Sequence, residues 1–353
     1  QTLNKKFFMK TILRKISTYF IITLICIVLL EFMTTVALKF KIFKSFNHSF
    51  LTFNFTEITN DNSLNLKKNV SLKEDISIFT DINRLRVKKE NFNHNLNDNS
   101  NKIIFLGDSV PFGWGVNYED SIPGNFEKIN KKFTVINAAV PSYTFKQSVE
   151  KFIEEFKNVK NINYIYISNF NPLDLYLMFG ERWDESLNWS NHQKLLSEDI
   201  FFYKYVSLPI WGEISIFKVL RKIHIIRFFE KPKNTIYERN SDTDKKFIKY
   251  TINELERLSK NIHEDTIVIF TPIVSPLNFY KGNLEDKINN ERLDLINKVN
   301  NSLKLYNKNN FIYFDIIETL NSFNEQDLFI DDCCHLTPFS SLKIAENLNK
   351  LIY

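Results

Sequence analysis

Five short apolar runs punctuate the chain from Lys102 onward, and they constrain its fold more than any other feature. They are Lys102 to Leu106, Phe133 to Val140, Tyr164 to Phe170, Thr266 to Thr271 and Phe311 to Ile317. Each is continuous rather than alternating, and rich in β-branched or aromatic residues, as a strand covered on both faces should be. Between them lie helical periodicities at Phe145 to Asn158, Asp244 to Ile262, Leu284 to Leu305 and Thr337 to Leu351. That alternation predicts an α/β fold over residues 102–353, a five-stranded parallel sheet in a three-layer α/β/α sandwich. One connection breaks the rhythm. Residues 172–243, with Trp183, Trp189 and Trp211, are too many for a plain loop and predict an aromatic-rich, helical insertion.

The other end of the chain has a different character. Residues 16–38 carry one charge, Glu31, and are long enough to cross a bilayer. Five cations precede them in a basic tail (residues 1–15) and three follow (Lys39, Lys41, Lys44), which weakly favours a cytoplasmic N-terminus and an exported body. A cleaved signal is the competing reading, but no good small-residue cleavage site follows the apolar run. Residues 39–101 are polar and end in the Asn-rich stretch 91–101, the composition of a stalk or linker, with room for strands near Asp75 to Thr80.

Charge excludes one large class of function. Lys and Arg number 46 against 41 acids, yet Lys5, Lys6, Lys10, Arg14 and Lys15 account for the whole excess of +5. The body of the chain is therefore neutral and offers no case for nucleic-acid binding. Three cysteines, Cys26, Cys333 and Cys334, make neither a disulfide framework nor a zinc pattern. Glycine is scarce at seven, but Gly107, Gly113, Gly115 and Gly124 crowd into one short stretch, marking a place where backbone geometry matters.

That stretch follows the first strand, at the sheet edge where functional groups of open parallel sheets gather. It begins Gly107-Asp108-Ser109, which leaves a serine hydroxyl at the crevice edge as a candidate nucleophile. Near the far end, Asp331-Asp332-Cys333-Cys334-His335 precedes Thr337 and Pro338, a natural N-cap and first helical residue. His335 should thus lie on the loop entering the last helix, on the same edge as Ser109. Asp332, three residues before it, is expected to hold one ring nitrogen while the other faces the serine; Asp331 would serve if the loop carried one more residue.

These blocks resemble those of the SGNH (GDSL-type) hydrolases. The likeness rests on Gly107-Asp108-Ser109 after the first strand, Asn137 to Tyr143 after the second, Asn171 after the third, and Asp332-x-x-His335 before the last helix. The run from Gly107 through Gly113, Gly115 and Val116 to Glu119, Ser121 and Pro123 is similar to the membrane-anchored bacterial branch. The resemblance implies a flavodoxin-like three-layer fold, with Ser109 as nucleophile, His335 as base and Asp332 as its orienter. It further implies an oxyanion hole from the N–H groups of Ser109 and Ser142 and the amide of Asn171, with no cofactor and no metal. Two departures stand out: Ser142 replaces a usual glycine, and the third block reads Asn169-Phe170-Asn171-Pro172.

The expected activity is a serine esterase acting on an ester, such as an O-acetyl group, of an envelope carbohydrate or lipid. O-acyl transfer to an envelope polysaccharide uses the same triad with a hydroxyl in place of water. A non-catalytic envelope protein that kept the fold is a third reading.

Overall fold

A computed structural model describes residues 15, 17–23, 25–33, 55–58, 64–73, 76–90, 92–168, 241–279, 287–331 and 334–353. It divides into two compact units, residues 1–51 with 193–234, and residues 52–192 with 235–353. In the first unit, residues 17–23 and 25–33 are helical, with Tyr19, Phe20, Ile25, Phe32 and Met33 exposed. Among the described residues no helix is long and apolar enough to cross a membrane. The expected span 16–38 therefore does not stand out as one, and residues 34–38 fall outside the described part, as does most of the insertion 172–243.

The second unit starts with five short strands: β1 (Thr56–Ile58), β2 (Leu64–Leu66), β3 (Ser71–Leu72), β4 (Ile78–Thr80) and β5 (Arg86–Val87). Then come β6 (Lys102–Gly107), α1 (Ser109–Phe112), α2 (Ile122–Ile129), β7 (Thr134–Asn137), α3 (Phe145–Lys151, running on as a π turn over Phe152–Phe156) and β8 (Ile162–Ser168). The remaining elements are α4 (Ser241–Ser259), β9 (Ile267–Phe270), α5 (Lys287–Lys304), β10 (Phe311–Tyr313), α6 (Ile316–Leu320), α7 (Glu325–Leu328) and α8 (Pro338–Ile352).

The main sheet has eight strands, not the expected five, in the order β10-β9-β8-β6-β7-β5-β4-β3. Its parallel part, β10 to β7, is built from the five apolar runs, while β5, β4 and β3 extend the β7 edge in antiparallel fashion. Ile103, Ile104, Phe105 and Leu106 on β6 are all fully buried, which is why that strand reads as a continuous apolar run. Phe105 pairs with Tyr166 across β6 and β8, and Phe105 also meets Phe126 of α2, so this sheet face carries α2. Ile167 points to the opposite face. There it lines one small cavity with Phe145 of α3, Phe247 of α4 and Leu303 of α5, which places these helices on that face and completes the three layers.

The segment expected as a stalk, residues 39–101, is corrected in part: β4 lies where a strand near Asp75 to Thr80 was expected, but β3, β4 and β5 join the main sheet rather than forming a spacer. β1 and β2 pair as a separate hairpin, held to α3 where the buried Lys151 Nζ donates to Asn65 Oδ1 at 2.9 Å. Asp81 accepts from the N–H groups of Asn83 and Leu85, and His94 bridges Asp81 (3.2 Å) to the Val135 carbonyl on β7 (3.1 Å). Polar composition here reflects short edge strands held by side-chain hydrogen bonds rather than an extended spacer.

Candidate active site

At the carboxyl end of β6 the chain must turn sharply, and Gly107 is what lets it. Its φ is +138°, and a Cβ there would lie 1.8 Å from the Ser168 carbonyl oxygen on the neighbouring β8. No other residue fits this close approach. Asp108 then caps α1, its carboxylate accepting from the Val110 N–H at 2.9 Å, and Ser109 follows as the first helical residue. Gly113, with φ +84°, ends the helix and donates back to the Ser109 and Val110 carbonyls.

The last helix places the partner of Ser109. Thr337 caps α8, accepting from Ser340 N–H, with Pro338 as its first residue. Just before it, Phe329 and Leu336 form an antiparallel bridge, and Ile330 N–H donates to the His335 carbonyl at 2.9 Å. This closed neck fixes His335. Its Nε2 lies 2.9 Å from Ser109 Oγ, and its Nδ1 is hydrogen-bonded to Asp331 Oδ2.

The carboxylate on the ring is therefore that of Asp331, not Asp332, which corrects the sequence expectation. The reason is the neck: Ile330 is hydrogen-bonded to His335, so the next residue, Asp331, starts directly beside the imidazole. Its other oxygen, Oδ1, accepts the N–H groups of Cys334 and His335 at 3.3 Å each, so one carboxylate holds both the loop and the ring. Asp332 and Cys333 lie outside the described residues, and Cys334 is buried. Ser109 is 7% exposed. The His335 side chain is 15% exposed and that of Asp331 40% exposed, so of the three groups the serine lies deepest.

Ser142 keeps a glycine-like backbone. Its φ is +70°, and Val140-Pro141-Ser142-Tyr143 closes as a turn through Tyr143 N–H to Val140 carbonyl at 3.2 Å, with proline at the second position and the left-handed residue at the third. Val140 N–H donates to the Gly107 carbonyl at 3.0 Å, which holds this turn beside the strand end that delivers Ser109. Asn171, the third expected donor, lies outside the described residues. Among the described residues no group of three His, Cys, Asp or Glu side chains is gathered to hold a metal.

Two contributors escape sequence reasoning. Arg86, on β5, is fully buried and donates to the carbonyls of Phe112 (2.5 Å), Gly113 (2.6 Å) and Val116 (2.6 Å), with its guanidinium 4.5 Å from the Phe112 ring centroid. Burial pushes its pKa down to about 10, so it remains charged at neutral pH. Asn137 Nδ2 reaches the Pro111 and Phe112 carbonyls as well, so the helix bearing Ser109 is held at its far end by two side chains. No local pattern in residues 39–101 marks Arg86. The other contributor is Trp114, whose ring centroid lies 5.9 Å from that of His335.

Arg86→Met should keep the volume but leave the Gly113 and Val116 carbonyls without this donor. We expect a loss of roughly 3–5 kcal/mol, since unsatisfied buried polar groups cost about 1–3 kcal/mol each. Denaturant unfolding measures it, and a loss under about 1 kcal/mol would show that these bonds carry little.

A hydroxyl, an imidazole and a carboxylate in line at the carboxyl edge of a parallel sheet form the arrangement used by serine hydrolases. No protein-family model matches the sequence, and no curated protein matches it. Among solved structures, the chain is similar to a member of the G-D-S-L lipolytic protein family from Veillonella parvula, with 14% identity, 71% of this chain and 98% of that one covered, and a TM-score of 0.41. It is also similar to a lipase from a goat rumen metagenome, at 14% identity, 71% and 97% coverage and a TM-score of 0.41. An acetylxylan esterase from Geobacillus stearothermophilus is similar at 11% identity, 71% and 94% coverage and a TM-score of 0.40.

Proposed function

We propose that the protein is a serine esterase working through an acyl-enzyme, and one observation carries the reading: His335 contacts Ser109 through Nε2 and Asp331 through Nδ1. In this reading Nε2 takes the Ser109 proton as Oγ attacks the ester carbonyl carbon. The carbonyl π pair moves onto oxygen, and the N–H groups of Ser109 and Ser142, with the Asn171 amide, receive that charge. Collapse breaks the bond to the alcohol oxygen, which leaves with the proton held on His335. Water then enters, gives its proton to Nε2 and attacks the acyl carbon; the tetrahedral adduct expels Ser109, which regains the proton.

Turnover of p-nitrophenyl acetate tests this, with p-nitrophenol release well above the uncatalysed rate expected from the purified chain. No release with this or any other short-chain acyl ester would contradict it. O-acyl transfer needs the same groups, and the resemblance to the membrane-anchored branch keeps an acylated envelope carbohydrate or lipid as the proposed substrate. Added sugar acceptors separate the two outcomes, because transfer yields an acylated sugar and hydrolysis yields free acid.

We propose further that residues 16–38 anchor the chain in a membrane with residues 39–353 on the exported side. The support is in the sequence, a 23-residue stretch with a single charge after five cations. The full chain should remain in the membrane pellet after an alkaline carbonate wash, and its release would count against an anchor.

A further inference from the structure

Trp114 stands beside His335, the group that would hand a proton to the departing half of an ester. Accepting the esterase reading, His335 Nε2 has to return its proton to the alcohol oxygen, which brings that oxygen within about 3 Å of the ring. The alcohol's carbon skeleton therefore begins beside His335. Among the described residues the aromatic ring paired with His335 is Trp114, 5.9 Å away between centroids and tilted by 36° rather than stacked flat. Trp114 is half-buried, so part of the indole stays open to a ligand.

The backbone that carries the indole is fixed in advance. The Trp114 main-chain N–H donates to the Ser109 carbonyl at 2.9 Å, and its neighbours Gly113 and Gly115 both take positive φ (84° and 80°). Arg86 holds the Gly113 carbonyl at 2.6 Å. A Cβ on Gly115 would lie 2.1 Å from Cδ1 of Ile330, the residue hydrogen-bonded to His335, so this loop and the His335 loop are packed together. Phe55, fully buried, is 6.1 Å from Trp114 and is itself stacked on Phe112 at 5.4 Å. Ordering of the platform thus costs little when a ligand arrives.

We propose that Trp114 receives the alcohol moiety of the ester and selects alcohols that present a flat face, a pyranose ring or an aryl group, over flexible alkyl alcohols. The recognition is contact of C–H or aromatic surface with the indole face, a geometry an alkyl chain meets only by giving up rotamer freedom.

Three acetates that share their acyl group test this: a mono-O-acetyl methyl pyranoside, phenyl acetate and n-hexyl acetate. They are assayed with the wild-type chain, Trp114→Leu and Trp114→Phe, and comparing each variant with wild type on the same ester cancels leaving-group reactivity. Trp114→Leu should lower kcat/KM for at least one flat ester relative to n-hexyl acetate by roughly 10-fold, with Trp114→Phe recovering most of it. The ester that falls names the source, sugar or aryl. An equal loss on all three would make Trp114 only a support for His335 and overturn this proposal while leaving the esterase reading intact, as would no loss on any. Wild-type inactivity on all three would overturn the esterase reading and this proposal with it.

Discussion

Ser109→Ala should lower ester turnover by a factor on the order of 10⁶ without disturbing the fold. The substitution removes one hydroxyl at the head of α1, whose hydrogen-bond partner is His335 Nε2 at 2.9 Å. The backbone that shapes the site does not depend on it: Gly107 makes the turn, Asp108 caps the helix, and Arg86 and Asn137 hold its far end. Any residual rate would come from oxyanion stabilisation and binding alone. Steady-state kinetics of p-nitrophenyl acetate hydrolysis, with unfolding curves for both proteins, measure the effect. Turnover within 10-fold of wild type would mean that another group performs the attack.

Asp331→Asn should lower kcat by a factor on the order of 10⁴. The amide oxygen of asparagine can still accept the N–H groups of Cys334 and His335, so the loop keeps its shape. The amide nitrogen, however, would then face His335 Nδ1 as a donor. That favours the tautomer with hydrogen on Nε2, which presents a donor to Ser109 where an acceptor is needed. Asp332→Asn should cost far less, since the position on Nδ1 is filled by Asp331. The pair of variants, assayed side by side, decides the matter, and Asp332 proving the costlier change would move the orienter back to the position expected from sequence.

The contrast between these two aspartates shows how far the sequence could be read. Four of the five parallel strands, β6 to β9, were legible because consecutive residues on both faces are buried, while β10 is half-buried throughout; a continuous apolar run as short as Lys102 to Leu106 suits a central strand better than a surface helix or a loop. Thr337 and Pro338 announced the start of α8 through capping chemistry, and with it the loop that carries His335. The choice of Asp331 was not legible, because it depends on Ile330 N–H reaching the His335 carbonyl, a closure of the loop neck with no signal in residue spacing. β3, β4 and β5 are two or three residues long, too short to show a period, so apart from a strand expected near Asp75 to Thr80 their segment read as a stalk. Arg86 was hidden with them. Its meaning appears only when β5 pairs beside β7 and brings the guanidinium under the carbonyls of residues 112–116. Trp114 lay inside the glycine-rich motif, yet nothing local says that its ring would stand against an imidazole more than two hundred residues away.

The central claim is that Ser109 is a nucleophile activated by His335, and covalent labelling tests it most directly. The full chain is treated with a fluorophosphonate, which phosphonylates activated serines by displacing fluoride, and the product is read by intact and peptide mass spectrometry. The account predicts one adduct per chain, located on Ser109, lost in Ser109→Ala and strongly slowed in Asp331→Asn. An unlabelled wild-type chain, or an adduct on any other residue that persists in Ser109→Ala, would contradict it.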